Sequence, residues 1–500
     1  MRNAVPWSFV MSIGQIVLSS VTLFVLAAVV GPAAFGTIAL ALVLVLFLKL
    51  LLEQGMGAAI VQREDLQREH LDAAFWMVMG LSVLFVAIGA ALAPWWAELN
   101  NEPDLRDVVW ALLLMLPIRG LIVTQDAVLR RDMRFKALAA RTNLGVIIGG
   151  GAGVVAALLG AGVWALVIQQ LVMASTELLV LWTASDFRPR FHFSRRHARD
   201  LLGFSAGSLA SSLGLYVQGR ADELSMGIFF GTTALGLYRL AYRVMNMVAD
   251  VVTRALAPVS LSELSRLQNQ RERFNQRVVA TISLAVTVSY PAMAVLAACA
   301  PSLTRLLGPE WESATIPMQL LCIEGMAITT TFLVGPVLQA LGRPHHQAIL
   351  VWVTAAVSTV AYFGAGYLLR DDSIDQQVIG LTLVNIGLFA FLTAAVNMVI
   401  ICRVTGTPFA LIRRRMIAPS ITGLGALAAG LSFSLLLEPR VPAIAQLAGT
   451  ATVAGSVALA LLLTTSSKVR TAGNQLRARN PQAAMNTMLE LIEPVAEPSR

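Results

Sequence analysis

Charge is scarce in this chain. Of its 500 residues only 13% are Asp, Glu, Lys or Arg, while 57% are hydrophobic. A soluble domain carries about 25% charged residues, so a soluble globular enzyme and a disordered chain are both excluded. Lysine is nearly missing: Lys49, Lys136 and Lys468 are the only three, and none follows a glycine. The phosphate-cradling loop of a nucleotide-driven pump needs a Gly-Lys step, so no such ATPase is present. Three cysteines, Cys299, Cys322 and Cys402, show no C-x-x-C spacing. They form neither a disulfide framework nor a zinc ribbon and read as small packing residues. The histidines form no H-E-x-x-H, so neither a metal nor another cofactor is expected.

What is present is a succession of apolar blocks, most of them long enough for the roughly 20 residues a membrane-spanning helix needs. About fourteen such helices are predicted, the first over 5–30, the seventh and eighth over 199–230 and 233–258, and the last over 443–465. The run 199–230 exceeds one span, which predicts a tilt or a kink. The first helix is too long in its apolar part, and too closely followed by a second, to be a cleaved signal peptide.

The basic surplus, a net charge of +8, sits mainly between the blocks. Clusters such as Arg130, Arg131, Arg134 and Lys136, or Arg413, Arg414 and Arg415, fall on one side of the alternation, and only Arg106, Arg305, Arg370 and Arg440 on the other. By the positive-inside rule both termini are cytoplasmic. The basic character therefore sets topology, and no nucleic-acid partner is implied.

Sliding the chain by 200 residues superposes its first hairpin on its seventh and eighth helices. The turn VVGPAAFG over 29–36 matches FFGTTALG over 229–236, and Ser8, Ser12, Gly14, Leu40 and Ala41 recur at 208, 212, 214, 240 and 241. An even number of helices separates the copies, so they run parallel. The predicted fold is thus an all-α integral membrane protein with two parallel six-helix lobes, 1–197 and 198–402. Two further transmembrane helices follow over 403–466, then a cytoplasmic tail over 467–500. Two parallel lobes with substrate between them are a transporter architecture.

Ionisable residues inside apolar helices cost about 2.5–3.5 kcal/mol at the bilayer centre, so they mark cavities or partners. The eighth helix carries Arg239, Tyr242, Arg243, Asn246, Asp250 and Arg254 at spacings of 3, 4 and 7, on one face. The seventh carries Ser205, Ser208, Ser212, Gly219 and Asp222 on one face, with Gln218 and Arg220 beside it. The first helix repeats the pattern with Ser8, Ser12, Gln15, Ser19 and Thr22, and the second has Lys49 and Glu53 four apart. Together they predict a polar, net-basic cavity suited to a bulky anion. Arg220, Arg239, Arg243 and Lys49 would bind a diphosphate, because Arg holds phosphate bidentately and stays charged. Gln15, Ser212, Gln218, Tyr242 and Asn246 would face sugars. Asp222, Asp250, Glu53 and Glu324 are candidates for ion coupling. The competing reading is structural: Asp222 pairs with Arg243 across the hairpin, Lys49 with Glu53 along one helix, and Arg254 snorkels to the surface. Arg119, Arg141 and Glu177, nearer the helix ends, are weaker candidates. Gly145, Gly149 and Gly153 read as a small-residue packing stripe.

The run VVGPAAFGTIALA, with Gln54-Gly55 and Ala59-Ile60-Val61-Gln62 behind it, and AVLRRDMRF over 127–135 resemble the polysaccharide transporter (Wzx-like) family of the MOP exporter superfamily, colanic-acid and xanthan type. The resemblance implies a flippase for undecaprenyl-diphosphate-linked oligosaccharides in the bacterial inner membrane, acting by alternating access with cationic residues in a central cavity. It implies lipid-linked oligosaccharide and membrane lipid as partners, functional coupling to a polysaccharide polymerase, and a monomer. It does not imply an enzyme. The related lipid II flippases use basic residues in their first helix, and the first helix here has none. Two alternatives stay open: a MATE-like ion-coupled exporter of small molecules, whose cavity should be acidic, and a membrane polymerase or glycosyltransferase, which usually carries a large or acidic outer loop.

Overall fold

The computed structural model describes residues 18–53, 56–63, 65–191, 194, 197, 212–437 and 441–465. Among them every regular element is a helix. Lipid offers no hydrogen bonds, so a spanning backbone must satisfy its own polar groups, which helices do and single strands do not. Twelve of the described helices are long and apolar enough to cross a membrane. The difference from fourteen lies at two places. The first predicted helix, 5–30, is described only over Leu18–Val30, and the seventh and eighth run together over Ser212–Leu267.

The chain forms two compact units: residues 1–239 with 351–377, and residues 240–350 with 378–500. The first contains α1 (Leu18–Val30) and α2 (Pro32–Glu53), then α3 (Met56–Gln62), α4 (Arg68–Leu99), α5 (Asp104–Leu113), α6 (Met115–Arg131), α7 (Phe135–Leu158) and α8 (Val163–Ala184). It continues with α9 (212–218) and the first part of α10 (Ala221–Leu267). The turn glycines explain this start. Gly31 has φ +80° and Gly231 φ +82°, a left-handed backbone that glycine adopts without a Cβ clash. Each breaks a helix at the same point of its repeat. Pro32 then opens α2 where its missing N–H costs nothing.

The next glycine of each copy closes the pair. A Cβ on Gly36 would collide with the backbone carbonyl of Thr232, and a Cβ on Gly236 with the backbone carbonyl of Pro32. Positions 32, 36, 232 and 236 are the same two positions of the repeat. The contact is therefore reciprocal, as two copies around a two-fold axis require, and the 200-residue offset seen in the sequence corresponds to a real packing relation within this unit.

The α7 stripe also packs as its spacing predicts. Cβ atoms on Gly149 and Gly153 would lie 2.7 Å from Met173 Cβ and 2.8 Å from Gln169 Cβ of α8. Small residues let helix backbones approach where lipid supplies no hydrophobic drive between them.

The second unit holds the remainder of α10, then α11 (Arg271–Leu307), a 3-10 turn (Pro309–Ala314), α12 (Thr315–Thr331), α13 (Val334–Ala340), the start of α14 (Pro344–Leu369) and, from residue 378 on, α15 (Ile374–Ile386). A π-helical turn, Gly387–Thr393, leads into α16 (Ala394–Thr405), α17 (Phe409–Leu437) and α18 (Ala443–Thr465). Phe274, Val278, Ile282 and Val286 of α11 are buried in a core with Leu333, Val337, Ile401 and Ile412. The last two helices dock onto α11 through small residues: Ala294, Ala426 and Ala458 cluster, and a Cβ on Gly430 would meet Ala298 Cβ at 2.6 Å.

Candidate functional site

The kink predicted in the run 199–230 falls at Gly219 and Arg220, between α9 and α10. There the Arg220 N–H turns to the Val217 carbonyl, three residues back, at 3.3 Å. Beyond the break α10 begins with Asp222 and Glu223 in its first turn, where acids complement the helix dipole. The chain then reverses at Gly231.

This folding brings three side chains together. Glu223 and Arg239 each lie eight residues from Gly231, so the hairpin sets them opposite one another. Arg239 donates to the Glu223 carboxylate. From the same side, Arg220 Nη1 donates to both Glu223 oxygens at 2.7 Å. The Glu223 side chain is 5% exposed, and the two arginines 23% and 24%. One buried carboxylate is thus shared by two guanidinium groups that remain within reach of a ligand. Beside it the Tyr238 hydroxyl donates to buried Asp222 at 2.7 Å.

Arg220 also lines a cavity of about 370 Å³ within the first unit. Its walls come from α2 (Val43, Leu44, Phe47), α4 (Trp96), the segment 216–224 and α14 (Thr359, Phe363).

Lys49 sits in a second charged cluster. It pairs with Glu53 at 3.8 Å, as their spacing predicts, and lies in electrostatic range of Arg119, Glu177 and Arg141. Arg119 donates to Glu177 at 2.8 Å, both side chains nearly buried. Arg141 and Arg130 share Asp126, the latter at 2.6 Å. The residues ranked as weaker candidates therefore form the surroundings of Lys49.

The remaining predicted residues are placed as follows. In the second unit Arg243 is exposed and Tyr242 half-buried. Asn246 donates back to the Tyr242 carbonyl of its own helix at 3.0 Å. Asp250 pairs with exposed Arg254 at 2.8 Å. Glu324 of α12 is buried and accepts from Asn385 of α15 at 3.0 Å, next to the π-helical turn. Ser212 and Gln218 are half-buried, and Gln15 lies outside the described residues. Among the described residues no group of His, Cys, Asp and Glu is placed to hold a metal.

Sequence reasoning missed Glu223. It chose the neighbouring Asp222 by helical face as a candidate for ion coupling. The usable signal was the equal distance of Glu223 and Arg239 from Gly231.

Long apolar helices, a duplicated glycine hairpin and guanidinium–carboxylate clusters inside those helices define a multi-pass membrane transporter. The chain belongs to the polysaccharide biosynthesis protein family, whose profile matches residues 25–316. It is 29% identical over 496 residues to the succinoglycan biosynthesis transport protein ExoT of Rhizobium meliloti (strain 1021), covering 97% of both chains. It is 23% identical over 352 residues to the lipopolysaccharide biosynthesis protein WzxC of Escherichia coli (strain K12), covering 68% of this chain and 70% of that one. In fold it is similar to the lipid II flippase MurJ in an inward closed conformation, with a TM-score of 0.72 at 10% identity over 91% of this chain and 98% of that one.

Proposed function

We propose that this protein is a flippase that moves undecaprenyl-diphosphate-linked oligosaccharide repeat units across the bacterial inner membrane for exopolysaccharide or lipopolysaccharide synthesis. It is a transporter and carries out no chemistry on its substrate. Lobes 1–197 and 198–402 alternate in exposing the substrate, helices in 403–466 are an addition, and the termini and the tail 467–500 face the cytoplasm. The protein acts as a monomer and delivers its cargo to a polysaccharide polymerase.

The observation that carries this reading is the carboxylate shared by Arg220 and Arg239 at a helix break. Broken helices near the midplane are where transporters of this kind hold charged groups. A guanidinium accepts carboxylate and phosphate in the same bidentate geometry, so Glu223 occupies, in the described state, the place a diphosphate takes on binding. Exchange of one anion for the other keeps both arginines paired, and the displaced Glu223 carboxylate, 5% exposed, then takes up a proton or turns to water to escape the penalty of a bare buried charge. Arg243 and Lys49 are the further candidates for holding a diphosphate. Ser212, Gln218, Tyr242, Asn246 and Gln15 face the sugars, and Asp222, Asp250, Glu53 and Glu324 are the candidates for coupling transport to an ion gradient.

A small-molecule exporter of the MATE type draws support from the same cluster, because Asp222 and Glu223 balance the charges of Arg220 and Arg239. The two readings part in the cell. Deleting the gene should abolish one exported polysaccharide and leave its lipid-linked precursor inside. Loss of drug or cation efflux with normal polysaccharide would instead favour the exporter. Arg220→Ala with Arg239→Ala, at normal membrane levels, should reproduce the deletion.

A further inference from the structure

The cavity beside Arg220 is lined by apolar groups, yet four of its lining residues carry polar atoms. Each turns a polar group into the protein. Trp96 Nε1 donates to the Leu40 carbonyl at 3.1 Å, the Tyr216 hydroxyl to the Val43 carbonyl, and Thr359 Oγ1 to the Ala355 carbonyl at 2.7 Å. Arg220 is held by Glu223. A sugar entering this space would lose its water and find few partners, at the cost of unpaired polar groups. A hydrocarbon would lose nothing. The cavity's volume falls within the range of small-ligand sites and is far below that of a whole lipid-linked oligosaccharide. It accommodates only a short stretch of chain.

Its depth fits the same occupant. Arg220 lies eleven residues from Gly231 and Val43 twelve from Gly31, about 16–18 Å along a helix. With the Gly31 and Gly231 turns taken as the edge of the hydrocarbon core, that is close to the middle of a layer about 30 Å thick. A lipid whose diphosphate reached Arg220 would bring its first carbons to the mouth of the cavity.

Resting on the flippase reading above, we infer that this cavity is a binding site for the first isoprenoid units of a polyprenyl diphosphate. The diphosphate is held at Arg220 and the adjoining hydrocarbon packs against Phe47, Tyr216 and Phe363. The protein then recognises its cargo by the junction common to all polyprenyl-linked saccharides and leaves the sugars free to vary.

The test uses the full chain in detergent, with farnesyl diphosphate, inorganic diphosphate and farnesol as probes, followed by calorimetry. Farnesyl diphosphate should bind at least about tenfold more tightly than inorganic diphosphate, since burial of a few methylenes supplies more than that. Val217→Trp and Thr359→Trp replace half-buried residues and fill the space. Each should abolish most of that advantage and leave inorganic diphosphate binding unchanged. An advantage that survives both substitutions overturns the inference, as does equal competition by phosphatidylglycerol, which would make this a general lipid site. If farnesol binding is lost in the filled variants while no form binds inorganic diphosphate, the cavity stands and the arginine reading falls. If inorganic and farnesyl diphosphate bind alike, the cavity falls and the arginine reading stands. Should the filled variants misfold, a diazirine-bearing farnesyl diphosphate on the unmodified chain decides. Labelling of peptides containing Phe47 or Phe363 supports the site, and labelling confined elsewhere overturns it.

Discussion

Replacing Glu223 by Gln removes the negative charge that Arg220 and Arg239 share and changes little else in shape. Breaking a buried pair by deleting one partner costs about 3–5 kcal/mol when the remaining charge is fully buried. Here both arginines keep roughly a quarter of their side-chain surface, and the glutamine carbonyl still accepts one hydrogen bond. The loss should therefore fall below that range, at about 2 kcal/mol. An anion that takes the carboxylate's place recovers that loss on binding, which corresponds to roughly 30-fold tighter binding at about 1.4 kcal/mol per factor of ten. The variant should thus melt several degrees lower than the parent without ligand, bind inorganic diphosphate more tightly, and transport more slowly because release is hindered. Differential scanning fluorimetry and calorimetry on the purified chain measure the first two. Adding Arg220→Ala should erase the gain in affinity. If Glu223→Gln leaves both the melting temperature and the diphosphate affinity unchanged, the shared carboxylate is not the energetic element argued for and the exchange mechanism is wrong.

Further outcomes follow from the packing. Gly36→Ala and Gly236→Ala each drive a methyl into a backbone carbonyl of the other repeat copy; each should cost about 1–3 kcal/mol or more, and the pair should be non-additive, read as melting temperature and monodispersity in detergent. Arg119→Leu leaves Glu177 nearly buried without its partner and should lower stability by about 3–5 kcal/mol, while Arg119→Leu with Glu177→Leu should regain most of it. If Glu324 couples transport to protons, Glu324→Gln should keep the contact with Asn385 and normal membrane levels, yet lose the dependence of export on an imposed pH gradient. Cysteines placed at Ser373 and Asn474 should label from opposite faces of intact cells or vesicles, and same-side labelling refutes the topology.

The repeat was legible because glycine is chosen for backbone reasons that survive when side chains diverge. Gly31 and Gly231 need positive φ, Gly36 and Gly236 need the absence of a Cβ, and all four stand at a fixed offset. The α7 stripe and the pair of Lys49 with Glu53 were legible because both rest on periodicity inside one helix. Asp222 illustrates the opposite case. Helical periodicity placed it on a polar face, but its hydrogen-bond partner, Tyr238, and the role of its neighbour Glu223 depend on where the hairpin reverses. The cluster around Lys49 was harder still, since Lys49 of α2 meets residues of α6, α7 and α8, helices far from it in the chain.

Composition and spacing alone therefore established a multi-pass helical membrane protein built from a duplicated hairpin, because hydropathy and helical period are local properties of the chain. Only the tertiary structure decided which carboxylate holds which guanidinium, and that an apolar cavity opens beside Arg220. The pairing turns on where the hairpin reverses, and the cavity on the meeting of α2, α4 and α14 with the segment 216–224; helical period by itself encodes neither.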